Sequence, residues 1–394
     1  MGPAVPPAAA GPAPLVGGYR PWLDGLRAVA VLLVITQHTL GATRLDFGYV
    51  GVGLFFGLSG YLITSLLLDE QDGQARVSLS GFYLRRASRL IPALVLLVAV
   101  CNTILLIQGR LGELKGSLAA LTYTANYVQV LDSDAVPVYG PTWSLAVEEH
   151  FYVVWPLVLL AMVRRRGLRT ALRMTLAICL ASLGWRAVLA WLGAPVSLLS
   201  MGSFERADAL LYGCAVAIAL RMGWRPKAWL FWLGVVGIGA APILFRQETY
   251  AVLVPGSAVV GIASAAAVVG MDYAAPAWVR RVLSVRPVVV IGVLSYGLYL
   301  WHGPLMDFVQ EVTDTGRVWR VVAALIAVPI AWLSYRYVER PVRSWARRRA
   351  GRVSTPPPAD PVTAPGDVQA PQADTSALLA VQPESGAPRS QHSG

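Results

Sequence analysis

The sequence predicts an all-α, polytopic integral membrane protein with about ten transmembrane helices. Hydrophobic residues make up 56% of its 394 residues, and charged residues only 14%. A soluble domain needs a charged, solvated surface, so this balance favours a chain dissolved in lipid. Apolar stretches of spanning length also recur along the chain, and basic residues alternate between dense and sparse segments.

The helices are predicted from stretch length. A helix needs roughly 20 predominantly apolar residues to cross a ~30 Å hydrocarbon core. Such stretches fall at residues 26–43, 49–69, 90–108, 142–163, 174–193, 206–222, 228–246, 250–271, 286–306 and 319–338. Segment 116–131 is shorter and more polar, so we assign it to an outer loop that re-enters the membrane or lies on its surface.

The orientation is predicted from the Lys and Arg residues. With the N-terminus inside, 24 of the 33 fall in inner segments and seven in outer ones. This positive-inside bias predicts that both termini are cytoplasmic. It also accounts for the net charge of +11 as a topology signal, which excludes a nucleic-acid-binding function.

The chain divides into a long transmembrane domain and two tails. Residues 1–18 and 346–394 are rich in small and polar residues, and we expect a disordered leader and a disordered cytoplasmic tail. Residues 19–345 form the predicted domain. The three cysteines lack metal-ligand spacing, so we expect no metal site. We find no internal repeat, which weakens the case for an inverted-repeat transporter.

The first predicted span contains two titratable residues, Arg27 and His38. A separation of eleven residues rotates a helix by about 1100°, so both lie on one face, about 16 Å apart along the axis. In the predicted orientation, Arg27 is cytoplasmic and His38 lies toward the outer third. The alternative is an interfacial arginine and a histidine satisfied by a neighbouring helix.

Glu148 and Glu149 are adjacent at the start of the fourth span, near the predicted depth of His38. Carboxylates at membrane depth are costly and indicate function. The alternative is structural pairing with Arg186 or Arg206.

Further polar groups fall into two sets. Toward the outer face lie Glu205, Arg206, Asp208, Ser295, Tyr296 and His302. Toward the cytoplasm lie Arg85, Arg86 and Arg89, which could bind phosphates or simply anchor the inner interface. This polarity suits an enzyme with a cytoplasmic, phosphate-rich acyl donor and an acceptor that enters from outside.

Seven motifs along the chain together resemble the acyltransferase family 3 membrane proteins, over about residues 19–345. They are YRPWLDGLRAVAVLLVITQH, GVGLFFGLSGYLI, FYLRRASRLIP, PTWSLAVEEHFYVVWPL, RADALLYG, LSYGLYLWHGPL and YVERPVR. The resemblance implies a membrane-bound O-acyltransferase of a bacterial cell membrane. The short tail suggests a stand-alone form without the hydrolase-like domain that some members carry.

The resemblance also implies roles for residues. An acyl group, often acetyl, moves from acyl-CoA to a hydroxyl of a carbohydrate, glycolipid or macrolide-like acceptor, with no bound cofactor. His38 is the implied catalytic residue, with Glu148 or Glu149 as its acidic partner. Arg27, with Arg85, Arg86 and Arg89, is expected to bind the donor. The expected acceptor or supporting residues are Ser59, Gly60, Trp143, Arg206, Asp208, Tyr296 and His302.

The predicted mechanism is direct attack of the acceptor hydroxyl on the thioester while His38 removes its proton. A transient acyl-histidine is a variant of this mechanism. The competing function is a transporter of a sugar, lipid or drug with a proton path. It predicts coupled flux without acyl-CoA dependence.

Overall fold

The computed structural model describes residues 18–41, 45–73, 77–244, 250–312 and 317–349, and all its regular elements there are helices. The α-helices are α1 Pro21–Leu40, α2 Phe47–Gly73, α3 Leu79–Ile107, α4 Lys115–Leu121, α5 Ala125–Leu131, α6 Thr142–Trp191, α7 Val196–Met201, α8 Ala207–Arg221, α9 Ala228–Leu244, α10 Tyr250–Tyr273, α11 Ala277–Leu283, α12 Arg286–Val293, α13 Ser295–Val312, α14 Arg317–Ser334 and α15 Arg340–Arg349. Two 3₁₀ turns, Leu111–Leu114 and Ser133–Ala135, and a π-helical turn, Tyr335–Glu339, complete the described elements.

The all-helical membrane fold agrees with the sequence. In the described residues, six helices are long and apolar enough to span a membrane, or seven if the bent pair α12 and α13 counts as one. Large apolar side chains, among them Leu180, Val236 and Leu325, are exposed on outward faces. Such surfaces are unfavourable in water and suit contact with lipid.

Several predicted spans differ from the observed helices. Spans 142–163 and 174–193 both lie in α6, which Gly167 interrupts with φ 77° and ψ 171°. Span 286–306 is broken between α12 and α13, which meet at 66°. Helices α8 and α9 have 15 and 17 residues, shorter than the six spanning helices.

Helix α3 begins at Leu79, eleven residues before its predicted start. Ser78 caps it, since its Oγ accepts a hydrogen bond from the Gly81 amide at 3.2 Å. The predicted span start followed hydropathy, but arginine is a good helix former and does not end a helix. Arg85, Arg86 and Arg89, which precede the predicted span, are therefore inside α3.

Residues 116–131 form α4 and α5 rather than an irregular loop. Their junction is Tyr123, the one non-glycine residue with positive φ (55°) among those described. Asn126 is buried and donates to Met201 O at 3.1 Å and to Ser203 Oγ at 3.0 Å. The segment is thus folded against α7 and the loop that follows it.

The predicted leader and tail lie largely outside the described residues. Residues 346–349, assigned to the tail, belong to α15.

Helices α2 and α8 cross closely in the centre of the bundle. A Cβ at Gly60 would stand 1.9 Å from Leu210 O, so only glycine allows this approach. Gly60, predicted to support the site, therefore has a packing role.

Candidate active site

A cavity of about 620 Å³ lies where α1 ends and α2 begins. Parts of α6, α7, α13 and α14 close it, together with the segment before α6. Its lining includes His38, which is exposed to it, and Trp143, and both are candidate site residues from the sequence. The other side chains that carry polar atoms or aromatic rings are Gln37, Asp46, Tyr49, Gln129, Ser200, Tyr299, Asp307, Gln310 and Arg320.

The main chain of α1 fixes the His38 ring. Its Nδ1 lies 2.9 Å from Val34 O, and because a carbonyl can only accept, Nδ1 carries the proton. In the neutral ring, Nε2 is then left with a free lone pair. An imidazole held in this tautomer can accept a proton at Nε2.

His302 contacts His38 directly. The two rings meet edge to face with centroids 4.9 Å apart. His302 is fully buried, its Nδ1 donates to Tyr299 O at 2.7 Å, and its Nε2 has no hydrogen-bond partner among the described residues. His302 was predicted as a supporting residue, and in the structure it lies against His38.

Asp46 also lines the cavity, and the sequence analysis missed it. Its Oδ1 accepts the Tyr49 amide at 2.9 Å and so caps the N-terminus of α2. Burial raises the pKa of the Asp46 carboxyl, while the Tyr49 amide, Arg206 and His38 oppose that rise. An Asp three residues before Tyr49, just ahead of an apolar run, is a helix-start signal that could have identified it.

Glu148 and Glu149 do not pair with His38, contrary to the prediction. Glu149 accepts from Arg86 at 2.6 and 2.9 Å, and Glu148 accepts from Ser59 Oγ at 3.0 Å. They lie about one and a half turns into α6 from the cavity residue Trp143, which separates them from the His38 ring. Adjacency in sequence could not reveal this, because Arg86 comes from α3.

The glutamates belong to an arginine cluster, which we define as Arg27, Arg86, Arg89 and Arg343. The charges of the other three arginines all act on Arg89. Arg27 pairs with Asp24 at 2.6 Å, and Arg86 pairs with Glu149 and lies over the Tyr152 ring. Arg89 forms no ion pair with any carboxylate of the described residues. Direct ion pairs with the described carboxylates thus engage Arg27 and Arg86 but not Arg89.

The π-helical turn after α14 supplies Glu339 to the cluster. Glu339 is buried, and Arg343 and Arg89 are the cations that act on it. Both Glu339 and Arg343 lie in the YVERPVR motif, which the sequence analysis quoted without assigning a role. Arg85 lies apart from these contacts and pairs with Glu70 at 3.3 Å.

Tyr296 was expected in the outer half of its span. In the structure it lies beside the arginine cluster. Its hydroxyl donates to Leu90 O at 2.8 Å, and the charges of Arg86 and Glu149 act on it. The break between α12 and α13 shifts the start of α13 from its position in an unbroken span.

An aromatic layer separates the cavity from the arginine cluster. Trp143 meets Phe56 with centroids 6.5 Å apart, and Phe55 meets Tyr299 at 6.2 Å. The Tyr299 hydroxyl lies 2.6 Å from Ser144 Oγ and donates to Pro141 O at 2.8 Å. Following the chain from Asp46 into α2, Asp46 and Tyr49 line the cavity. Phe55 and Phe56 then contribute to the aromatic layer, and Ser59 contacts Glu148.

Arg206 and Asp208 are buried inside the bundle. Asp208 forms a bidentate pair with Arg186 at 2.6 and 2.8 Å, with both side chains fully buried. Arg206 stacks on the Tyr49 ring at 4.3 Å and donates to Ser257 Oγ at 3.0 Å. Asp208 thus has a structural partner, whereas Arg206 lies behind the cavity wall.

Within the described ranges, no three His, Cys, Asp or Glu side chains form a group that could hold a metal ion.

Residues 20–336 match the family model described as an acyltransferase domain. The chain belongs to acyltransferase family 3. It is 31% identical over 351 residues to O-acetyltransferase OatA of Staphylococcus aureus, covering 82% of this chain and 57% of that protein. It is 33% identical over 359 residues to peptidoglycan O-acetyltransferase OatA of Listeria monocytogenes, covering 82% and 56%. The chain thus spans a little over half the length of these relatives, and no solved structure matches it.

This family member is therefore a multi-pass membrane protein, as its apolar helices and its relatives agree.

Proposed function

We propose that this chain is a membrane O-acyltransferase that moves an acetyl or other short acyl group from acyl-CoA to a hydroxyl of a carbohydrate. One observation carries the proposal. His38, with Nδ1 bound to a main-chain carbonyl and Nε2 available, lines a cavity large enough for a sugar. The amide, carboxylate and aromatic groups of that cavity are those that suit hydroxyls and sugar rings.

The chemical step needs a base and a route for its proton. His38 Nε2 takes the proton of the acceptor hydroxyl as the oxygen attacks the thioester carbonyl. The tetrahedral intermediate collapses to the ester, and the CoA thiolate leaves with the proton from the His38 imidazolium. Asp46, the carboxylate that shares the cavity, is our candidate to stabilise the imidazolium in place of Glu148 or Glu149.

The arginine cluster is the proposed binding region for the phosphates of acyl-CoA. Arg89 supports this role best, because its guanidinium has no carboxylate partner among the described residues. Arg27 and His38 lie on one helix about 16 Å apart, so the donor must bring its thioester from the cluster to the cavity. The extended pantetheine arm of coenzyme A suits such a separation.

The proposed topology has ten spans with both termini in the cytoplasm. The break in α6 at Gly167 and the bent pair α12 and α13 are compatible with it. It predicts that a cysteine at position 166 is labelled from the cytoplasm and one at position 192 from outside. Labelling of both from one side would overturn it.

The names of the relatives indicate peptidoglycan as the first acceptor to test. A glycolipid is the second acceptor to test and a macrolide-like metabolite the third, since each offers a sugar hydroxyl.

The test is acyl transfer by purified protein in lipid nanodiscs, with radiolabelled acetyl-CoA and peptidoglycan fragments. We expect His38→Gln to lower turnover about 10²- to 10⁴-fold, the range for loss of a general base. The matched control is His150→Gln, because His150 binds Ser203 Oγ at 2.7 Å and lies outside the cavity lining. Near-normal turnover by His38→Gln would overturn the assignment of His38 as the base.

A further inference from the structure

Arg320 lies on the wall of the His38 cavity and plays no part in the proposed chemical step. It is in the first turn of α14, half-buried, and its charge acts on His38. Arg320 is one of the seven basic residues that the predicted topology places in outer segments.

The guanidinium of Arg320 has no hydrogen bond and no ion pair within the described parts of the chain. The contrast is Arg110, near the same cavity. Arg110 binds Glu113 at 2.5 and 2.6 Å and Asp307 at 3.2 Å. Counting only partners in the described residues, Arg320 is the arginine of the two whose five donors are unused, and its side chain lines the cavity where an acceptor would bind.

Gly41 makes room for this guanidinium. Gly41 ends α1 with φ 72°, and a Cβ there would stand 2.5 Å from Arg320 Nη1. The guanidinium therefore packs against the backbone three residues after His38. An arginine in this position could cap the α1 carbonyls, but no hydrogen bond from Arg320 to them exists in the described residues.

The charge of Arg320 is unfavourable for the proposed base. A cation near His38 opposes formation of the imidazolium, and the Asp46 carboxylate acts in the opposite direction. The other charged groups of the lining are Asp46, which already caps α2, and Asp307, which binds Arg110. Neither forms an ion pair with Arg320.

We propose that Arg320 binds an anionic group, a carboxylate or a phosphate, on the carbohydrate acceptor, so that the preferred acceptor is an acidic saccharide. This inference rests on the proposed function and names its substrate class. The planar guanidinium fork matches either anion in a bidentate geometry. The bound anion would also offset the effect of Arg320 on the His38 imidazolium.

The experiment compares acceptors that differ only in charge. One pair is a uronic-acid oligosaccharide and its carboxamide, and a second pair is a sugar phosphate and its unphosphorylated parent. Acetyl transfer and equilibrium binding are both measured in nanodiscs for wild type, Arg320→Gln and Arg320→Lys. The control variant is Arg317→Gln, which removes an exposed arginine one turn away on the same helix.

We expect wild type to prefer one or both acidic acceptors by about tenfold to a hundredfold in kcat/KM. Arg320→Gln should lose that preference through KM, while transfer to the neutral acceptor does not fall. Arg320→Lys should retain part of it, and Arg317→Gln all of it. Equal loss for acidic and neutral acceptors, or no preference in wild type, would overturn the inference.

The binding readout separates this inference from the proposed function. Binding of the acidic saccharide that depends on Arg320, without acetyl transfer, would contradict the proposed function alone. Transfer that ignores both the charge of the acceptor and Arg320 would contradict the inference alone.

Discussion

The His38 cavity and the arginine cluster hold their polar groups inside the bundle in different ways. In the cavity, both imidazoles bind main-chain carbonyls, and the Asp46 carboxylate caps a helix. In the cluster, opposite charges form ion pairs, Arg86 with Glu149 and Arg27 with Asp24. The imidazoles tied to the backbone keep one ring nitrogen free, whereas the cluster pairs Arg27 and Arg86 with carboxylates and leaves Arg89 without an ion pair among the described residues.

An aromatic layer lies between the His38 cavity and the arginine cluster. Phe55, Phe56, Trp143 and Tyr299 fill the space between Asp46 and Ser59 along α2. A phosphate held at the cluster would therefore stay apart from the base. The two regions should respond differently to substitution, and the following predictions test that difference.

The largest effect is expected from removing the counter-charge of the cluster. Glu149→Gln leaves Arg86 without its closest carboxylate, and because this pair is partly buried we expect a loss of about 2 kcal/mol or more. Thermal unfolding in detergent measures the loss. The control is Glu70→Gln, whose pair with Arg85 is longer and more exposed and should cost less than about 1 kcal/mol. Equal losses would remove the distinction between the two pairs.

Arg89→Gln should come next, through binding of the donor. It removes the guanidinium that has no carboxylate partner, and we expect the KM for acetyl-CoA to rise about 30-fold with kcat little changed. Arg85→Gln is the matched variant, because Glu70 already neutralises Arg85, and its effect should be several-fold smaller. A larger effect of Arg85→Gln than of Arg89→Gln would place the donor site nearer the N-terminus of α3.

His302→Phe tests whether the second imidazole matters for its nitrogen or its shape. The phenyl ring can retain the edge contact with His38 but lacks the lone pair of Nε2. We expect kcat to fall about tenfold with the acceptor KM unchanged, as for loss of an interaction made in the transition state. His302→Gln should recover part of kcat. Unchanged kcat in both variants would reduce His302 to a packing role.

The sequence predicted the helical fold and much of the site, because apolar length and membrane-depth charges are local signals. Arg27 and His38 could be selected in this way, whereas Trp143 was implied only by the family resemblance. The partners could not, because pairing depends on how helices cross: Glu149 meets Arg86 across 63 residues of sequence. The break at Leu294 was also missed, since hydropathy measures length and not direction.

Asp46→Asn should have the smallest effect and the most specific one. Asparagine caps a helix as well as aspartate does, so the variant removes charge while the bond to the Tyr49 amide can persist. Burial raises the pKa of Asp46, so in wild type the carboxylate becomes protonated, and its support of the imidazolium is lost, as the pH falls through that raised pKa. We expect kcat to fall about fivefold at neutral pH, roughly 1 kcal/mol, and the acid limb of the rate profile to move to lower pH. Asp134→Asn, at an exposed position, is the control and should leave the profile in place. An unshifted acid limb in Asp46→Asn would mean that His38 works without a carboxylate, which would leave tautomer control by Val34 O as the main contribution of the cavity to the base.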